Sequence, residues 1–286
     1  MKKIRIRFAA VALMLLASNT VSAQVNYSQQ DVDEMSYNLG FVQAEGLKEY
    51  LETEMHMDLN HLDSFVNGLL GKDNDSVVKD EDAYDMGVVV GHSMQNTMLP
   101  AINQELFDDS LANRIPLKLF MDGFIKGINA SKGEFEKAQK ISSEKMKFIK
   151  TEELLQIYGD NKAAGEKYLE ENIHKEGVHV LPSGVQYRII RKGSGPIPTN
   201  KDSVKVDYLG WNIEGIDIGC TYETGEPMTI KCSEAIKGFG EALTHMPVGS
   251  VWEVSIPQDQ AYAEQEQDHI KPFSALIFLI ELISIE

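Results

Sequence analysis

The sequence predicts an α+β protein: an all-helical N-terminal module, a long linker helix and a C-terminal antiparallel β-sheet wrapped on a short helix. Three observations predict it. Apolar residues keep helical i, i+3, i+4 spacing from Val32 to about Lys150, as in Tyr37, Gly40, Phe41, Ala44 and in Leu62, Phe65, Val66, Leu69. The run from Ser131 to Gly177 is polar and free of proline. From Gly177 onward the period drops to two, with Gly and Pro clustered between the apolar runs. The expected divisions are 1–23, 24–131, 132–177 and 178–286, in line with the two or so domains that 286 residues suggest.

The first division reads as a signal peptide. Lys2, Lys3, Arg5 and Arg7 precede an apolar run from Phe8 to Ala17, and Val21-Ser22-Ala23 offers small residues for cleavage near Ala23. The run is too short to span a bilayer, no later run reaches about 18 apolar residues, and no Cys lies near the cleavage site. The expectation is a periplasmic or secreted protein with no membrane anchor. Net charge is −17 over the whole chain, and −21 without those four basic residues. That excess argues against nucleic acid and anionic lipid as partners, since both need basic patches.

The helical module carries a weak internal repeat. Tyr37-Asn38-Leu39-Gly40 is echoed by Tyr84-Asp85-Met86-Gly87, and Phe65-Val66-Asn67-Gly68-Leu69 by Phe124-Ile125-Lys126-Gly127-Ile128. Each copy reads as a helix pair whose glycines allow close packing, with Gly71–Asp82 as the loop between copies. Phe148, Leu154, Leu155 and Tyr158 are sparse apolar contacts on the linker helix, so it reads as solvated, with a break expected near Gly159-Asp160-Asn161. Helices with stripes that one copy cannot cover suggest a homodimer through this module.

Strands are expected at Val178–Val180, Val185–Ile189, Val204–Tyr208 and Val251–Ile256, and a short helix at Glu234–Thr244. Ala275–Ile285 is apolar on nearly both faces and should be a central strand. Cys220 and Cys232 allow one disulfide, which spacing alone does not decide. No nucleophile elbow, phosphate loop or zinc spacing occurs, and the seven His are scattered, so neither metal nor cofactor is expected.

What stands out is a series of short blocks: Ser183-Gly184-Val185-Gln186-Tyr187, Gly193-Ser194-Gly195-Pro196, Val206-Asp207-Tyr208-Leu209-Gly210, Ile236-Lys237-Gly238-Phe239, Met246-Pro247-Val248-Gly249-Ser250, Ala261-Tyr262 and Leu276-Ile277-Phe278. In order and spacing they resemble the FKBP-type peptidyl-prolyl cis-trans isomerases. The N-terminal half, with Tyr168-Leu169-Glu170-Glu171-Asn172, resembles the Mip-like periplasmic branch, in which a helical module dimerises and a long helix carries the isomerase domain. The resemblance implies an FKBP-like fold for 178–286 and an isomerase that assists folding of exported proteins. Its partners would be proline-containing unfolded or exported polypeptides.

The same resemblance assigns the site. Tyr262 would offer its hydroxyl, Ile236 its backbone N–H and Phe239 the floor, where the family usually has Trp. Tyr208, Ile218, Met228, Ile230, Ile270 and Phe278 would line the pocket. Periodicity by itself would make these residues plain barrel core. Ile218-Gly219 stands where the family has Phe-Asp, and Ala263 where it has Gly. These departures imply reduced activity and reduced macrolide affinity, and they leave an alternative: a periplasmic holdase chaperone with a weakly active or inactive FKBP domain. Asp217 should point to the opposite face of its strand from Ile218. Gly219→Asp should therefore raise activity or macrolide binding and leave the fold unchanged.

Overall fold

The computed structural model describes residues 26–72, 80–109, 111, 113–222 and 225–286. The expected signal peptide, and 73–79 of the expected loop, lie outside these. The helical part comprises α1 (Gln29–Gln43), α2 (Leu47–Thr53), α3 (Leu62–Leu69), α4 (Glu81–Ser93), α5 (Leu99–Phe107), α6 (Leu117–Gly127) and α7 (Lys132–Asn172). Ser28 starts α1 through a reciprocal bond pair with Asp31, and Ser131 starts α7 in the same way with Glu134. The Asp80 side chain accepts from the Ala83 N–H, so α4 begins inside the segment expected to be loop. Around these helices Met35, Leu51, Phe65, Phe120, Ile115 and Ile149 are fully buried in one core.

Glycines set the packing, but not within each copy as the repeat suggested. A Cβ on Gly40 would lie 1.9 Å from the Phe120 carbonyl oxygen, and one on Gly123 1.9 Å from that of Tyr37. In the other pair, a Cβ on Gly87 would lie 2.0 Å from the Phe65 oxygen, and one on Gly68 1.9 Å from that of Tyr84. So α1 crosses α6 and α4 crosses α3, each with backbone against backbone. The structural echo of Phe65-Val66-Asn67-Gly68 is therefore Phe120-Met121-Asp122-Gly123, one helical turn before the segment that spacing selected. Phe and Gly both recur four residues later, at Phe124 and Gly127, which is why one turn is ambiguous in sequence.

Helix α7 runs unbroken for 41 residues. A methyl at Gly159 would meet nothing within 4 Å, so the only cost of this glycine is propensity, about 1 kcal/mol, too little to break a long helix. Nor is α7 a bare spacer. Its Lys145 Nζ pairs with Asp31 at 2.7 Å and Glu34 at 3.0 Å on α1. Its C-terminal half docks on the sheet domain. Asn172 Nδ2 donates to Gln186 Oε1 at 2.8 Å, and Gln186 Nε2 donates back to the Leu169 carbonyl at 2.8 Å. Tyr168 Oη lies 3.1 Å from Ser255 Oγ. Asn161 Nδ2 donates to the Pro272 carbonyl at 2.8 Å, and Thr151 Oγ1 to Glu264 Oε1 at 3.1 Å.

The C-terminal part contains β1 (Val178–Val180), β2 (Gln186–Arg191), β3 (Ser203–Asn212), β4 (Asp217–Cys220), β5 (Met228–Lys231), α8 (Lys237–Leu243), β6 (Val251–Ile256) and β7 (Leu276–Ile285). The sheet order is β1-β2-β6-β7-β3-β4, with β5 also on β3, and every pairing is antiparallel. β7 is central, as its two apolar faces predict. Ala242 and Leu243 of α8, both fully buried, share one core with Val204, Val254, Ile256 and Ile280 of the sheet. Both cysteines are free. Cys220 pairs with Leu209 of β3, whereas the Cys232 N–H bonds the carbonyl of Asp202, seven positions away along the chain. At about 3.3 Å per residue that separation is on the order of 20 Å, far beyond disulfide reach.

Candidate functional site

The nine residues assigned by resemblance fall in one cluster. Phe239, Ile270 and Phe278 are buried in it, and Tyr208, Ile218, Met228, Ile230, Ile236 and Tyr262 pack half-buried against it. Strand pleat explains part of this. Tyr208 on β3 pairs with Ile280 of β7, and Gly210, two residues on, pairs with Phe278. A Cβ on Gly210 would lie 2.6 Å from the Phe278 ring, so only glycine lets that ring lie across the strand. Gly210 is a residue that the assignment missed, and its signal was a glycine inside a strand, between Leu209 and Trp211.

Three rings form the heart of the cluster. Phe239 meets Phe278 at 5.3 Å and 86°, and Tyr208 at 6.0 Å and 81°; Tyr208 meets Phe278 at 6.1 Å and 60°. Edge-to-face contacts of this kind fix ring orientation beyond what area burial does. Phe239 is held by the first turn of α8, whose start is Ile236. The Ile236 N–H bonds no acceptor among the described residues, and neither does the Tyr262 hydroxyl. Burial pushes the Tyr208 phenol up, and Tyr262, Cys220 and Asp217 push the same way, so Tyr208 stays protonated well above neutral pH. The cluster thus offers an apolar, ring-lined surface edged by uncommitted donors. Among the described residues no group of three or more His, Cys, Asp or Glu could hold a metal ion, and no helix is long and apolar enough to cross a membrane.

The wall at Ile218 and Gly219 departs from expectation. Gly210 pairs with Gly219 and Trp211 with Asp217, so Ile218 is the extra residue of a bulge. Simple alternation fails there. Asp217 Oδ1 turns back to accept the Gly219 N–H at 2.8 Å, and its charge is felt at the Tyr208 phenol. Gly219 itself sits at φ 148°, a region that side chains avoid, and a Cβ there would lie 3.3 Å from Tyr208 Oη. The expectation for Gly219→Asp left out this strain: the variant should keep the fold but lose about 1–3 kcal/mol of stability. A lower urea midpoint would bear this out; a midpoint equal to wild type would refute it.

The segment after β6 also carries strain. Ala263 sits at φ 52°, the left-handed region, where the expected family glycine would be at ease. The Ala263 N–H donates to the Gln258 carbonyl at 2.9 Å, and its own carbonyl accepts the Phe273 N–H at 2.7 Å. Ala263→Gly keeps both bonds and removes about 1 kcal/mol of strain, offset in part by a freer unfolded chain. A small rise in thermal midpoint is expected, and a drop would show that the turn is not strained.

Comparison with known proteins gives the family. Residues 195–283 match the family described as FKBP-type peptidyl-prolyl cis-trans isomerase, and residues 79–189 match the domain amino terminal to FKBP-type peptidyl-prolyl isomerase. The chain is 30% identical over 208 residues to the FKBP-type peptidyl-prolyl cis-trans isomerase FkpA of Aeromonas hydrophila, covering 73% of this chain and 76% of that protein. It is 48% identical over 124 residues to the FKBP-type 22 kDa peptidyl-prolyl cis-trans isomerase of Escherichia coli (strain K12), covering 43% of this chain and 60% of that protein. It is 44% identical over 128 residues to the outer membrane protein MIP of Legionella longbeachae, covering 44% of this chain and 55% of that protein. The matched regions thus span just over half the length of the last two relatives.

Proposed function

This chain belongs to the FKBP-type peptidyl-prolyl cis-trans isomerase family, and on that premise we propose that it interconverts cis and trans X–Pro bonds in unfolded or exported polypeptides. The reading is carried by the Phe239, Phe278 and Tyr208 rings, packed edge to face beside two uncommitted donors. The X–Pro bond rotates over about 18–20 kcal/mol because amide resonance must be broken. An apolar site that grips the pyrrolidine ring strips water from the amide and favours the twisted geometry, in which resonance is weakest. In this proposal Phe239 is the floor, and Tyr262 Oη and the Ile236 N–H donate to carbonyls of the bound peptide. Tyr208, Ile218, Met228, Ile230, Ile270 and Phe278 enclose the proline. No covalent step and no cofactor is needed.

The N-terminal basic and apolar run supports export, with clients in the periplasm or outside the cell. Ile218 and Gly219 support macrolide binding of reduced affinity. The family relationship does not favour the holdase-only alternative. A protease-coupled assay on Phe-Pro and Leu-Pro peptides with residues 24–286 tests the proposal. Tyr262→Phe should keep the fold and lower kcat/KM a few-fold to about tenfold, as expected for losing one neutral hydrogen bond in the transition state. A wild-type chain with no rate above the uncatalysed reaction would refute the isomerase reading.

A further inference from the structure

The two glycine crossings of the helical module are copies of one another. In each, a helix carrying Tyr-x-x-Gly lies on a helix carrying Phe-x-x-Gly. Gly40 meets the Phe120 carbonyl as Gly87 meets that of Phe65, and Gly123 meets the Tyr37 carbonyl as Gly68 meets that of Tyr84. Burial follows the same equivalence. Phe65 and Phe120 are both fully buried, and Leu69 and Phe124, one residue past the second glycines, are each 3% exposed. The partners are exchanged between the repeats. The first copy gives α1 to the α6 of the second, and the second gives α4 to the α3 of the first. Neither copy closes on itself.

That reciprocal exchange is the pattern of a two-fold symmetric dimer, in which one patch contacts a second and the second contacts the first in return. Here both halves lie on one polypeptide. The family's amino-terminal domain aligns only from residue 79, at the start of the second copy, so the first copy stands outside the matched region. We infer that the helical module is a pseudo-dimer closed within a single chain. The first copy occupies the place a second protomer would take, and the protein is a monomer with one isomerase domain per module. The stripes that suggested a homodimer are covered in cis. A closed two-fold interface leaves no second set of the same patches for another chain.

Sedimentation equilibrium of residues 24–286 should return the mass of one chain from about 1 to 100 µM, and the thermal midpoint should not move over that range, because mass action makes an obligate dimer's midpoint rise with concentration. Two chains per particle, or a midpoint that climbs with concentration, would overturn the inference. Gly123→Ala gives a second readout. With the crossing in cis it lowers the midpoint and leaves the mass at one chain. If α1 crosses the α6 of another chain, it converts a dimer to monomer, and the inference fails. Both measurements are independent of isomerase activity.

Discussion

Alanine at Gly40 should destabilise the helical module by about 3 kcal/mol, at the upper end for overpacking a core. The single added methyl would sit 1.9 Å from the carbonyl oxygen of Phe120, where ordinary contact is above 3 Å. The obstacle is backbone, so no rotamer change relieves it; α1 and α6 must move apart. Separation loosens the packing of Phe120, Met35 and Phe124, which are at most 3% exposed. Intrinsic propensity acts the other way, since Gly to Ala inside a helix gains about 1 kcal/mol. Gly159→Ala isolates that opposing effect, because Gly159 has open space around it on α7. Chemical denaturation monitored by helical circular dichroism should therefore shift in opposite directions for two nominally identical substitutions. Equal shifts would mean that α1 and α6 do not cross at these residues.

How far the sequence carried depends on what kind of signal each feature leaves. The helical module, the long helix, β1, β2, β3, β6 and the central β7 were legible because burial on one face or both writes a period into the chain, whereas β4 and β5, four residues each, are too short to show one and were not expected. Pairing between helices was not. Tyr-x-x-Gly and Phe-x-x-Gly mark close crossings, but nothing in the spacing says that α1 chooses α6 over α3, or which of two phenylalanines four residues apart is at the contact. The Gly159 break failed because a glycine warns of lost propensity only, while Lys145 and Asn161 on either side of it tie α7 to the rest of the molecule. At the site, the family resemblance picked nine residues that share one buried cluster with the rest of the domain core, whereas periodicity could not separate pocket from core. Gly219 was misread because a missing carboxylate is visible in sequence and a backbone angle of 148° is not. The bulge at Ile218 defeated strand alternation for the same reason: one extra residue leaves no mark in a pattern of period two.

Phe239→Ala should abolish most isomerase activity and cost about 3–5 kcal/mol of stability in the C-terminal domain. The ring is 5% exposed and contacts Phe278 and Tyr208 edge-on, so truncation empties a volume that neither neighbour can fill without turning off its own rotamer. A domain of this size has about 5–15 kcal/mol to lose, so the variant should remain folded at 25 °C with a lowered midpoint. The two effects must therefore be separated. Phe239→Leu keeps most of the apolar volume and should cost less stability, yet it removes the flat face on which a pyrrolidine ring would rest. If Phe239 is the floor of the site, kcat/KM for a Leu-Pro peptide should fall by at least about tenfold in Phe239→Leu at a temperature where circular dichroism is native, because the lost contact is made to the twisting proline. Phe239→Trp should retain activity, since it enlarges the same flat surface and offers an indole N–H. Should Phe239→Leu fold and isomerise like wild type, Phe239 is core alone, and the proline must be held elsewhere in the cluster.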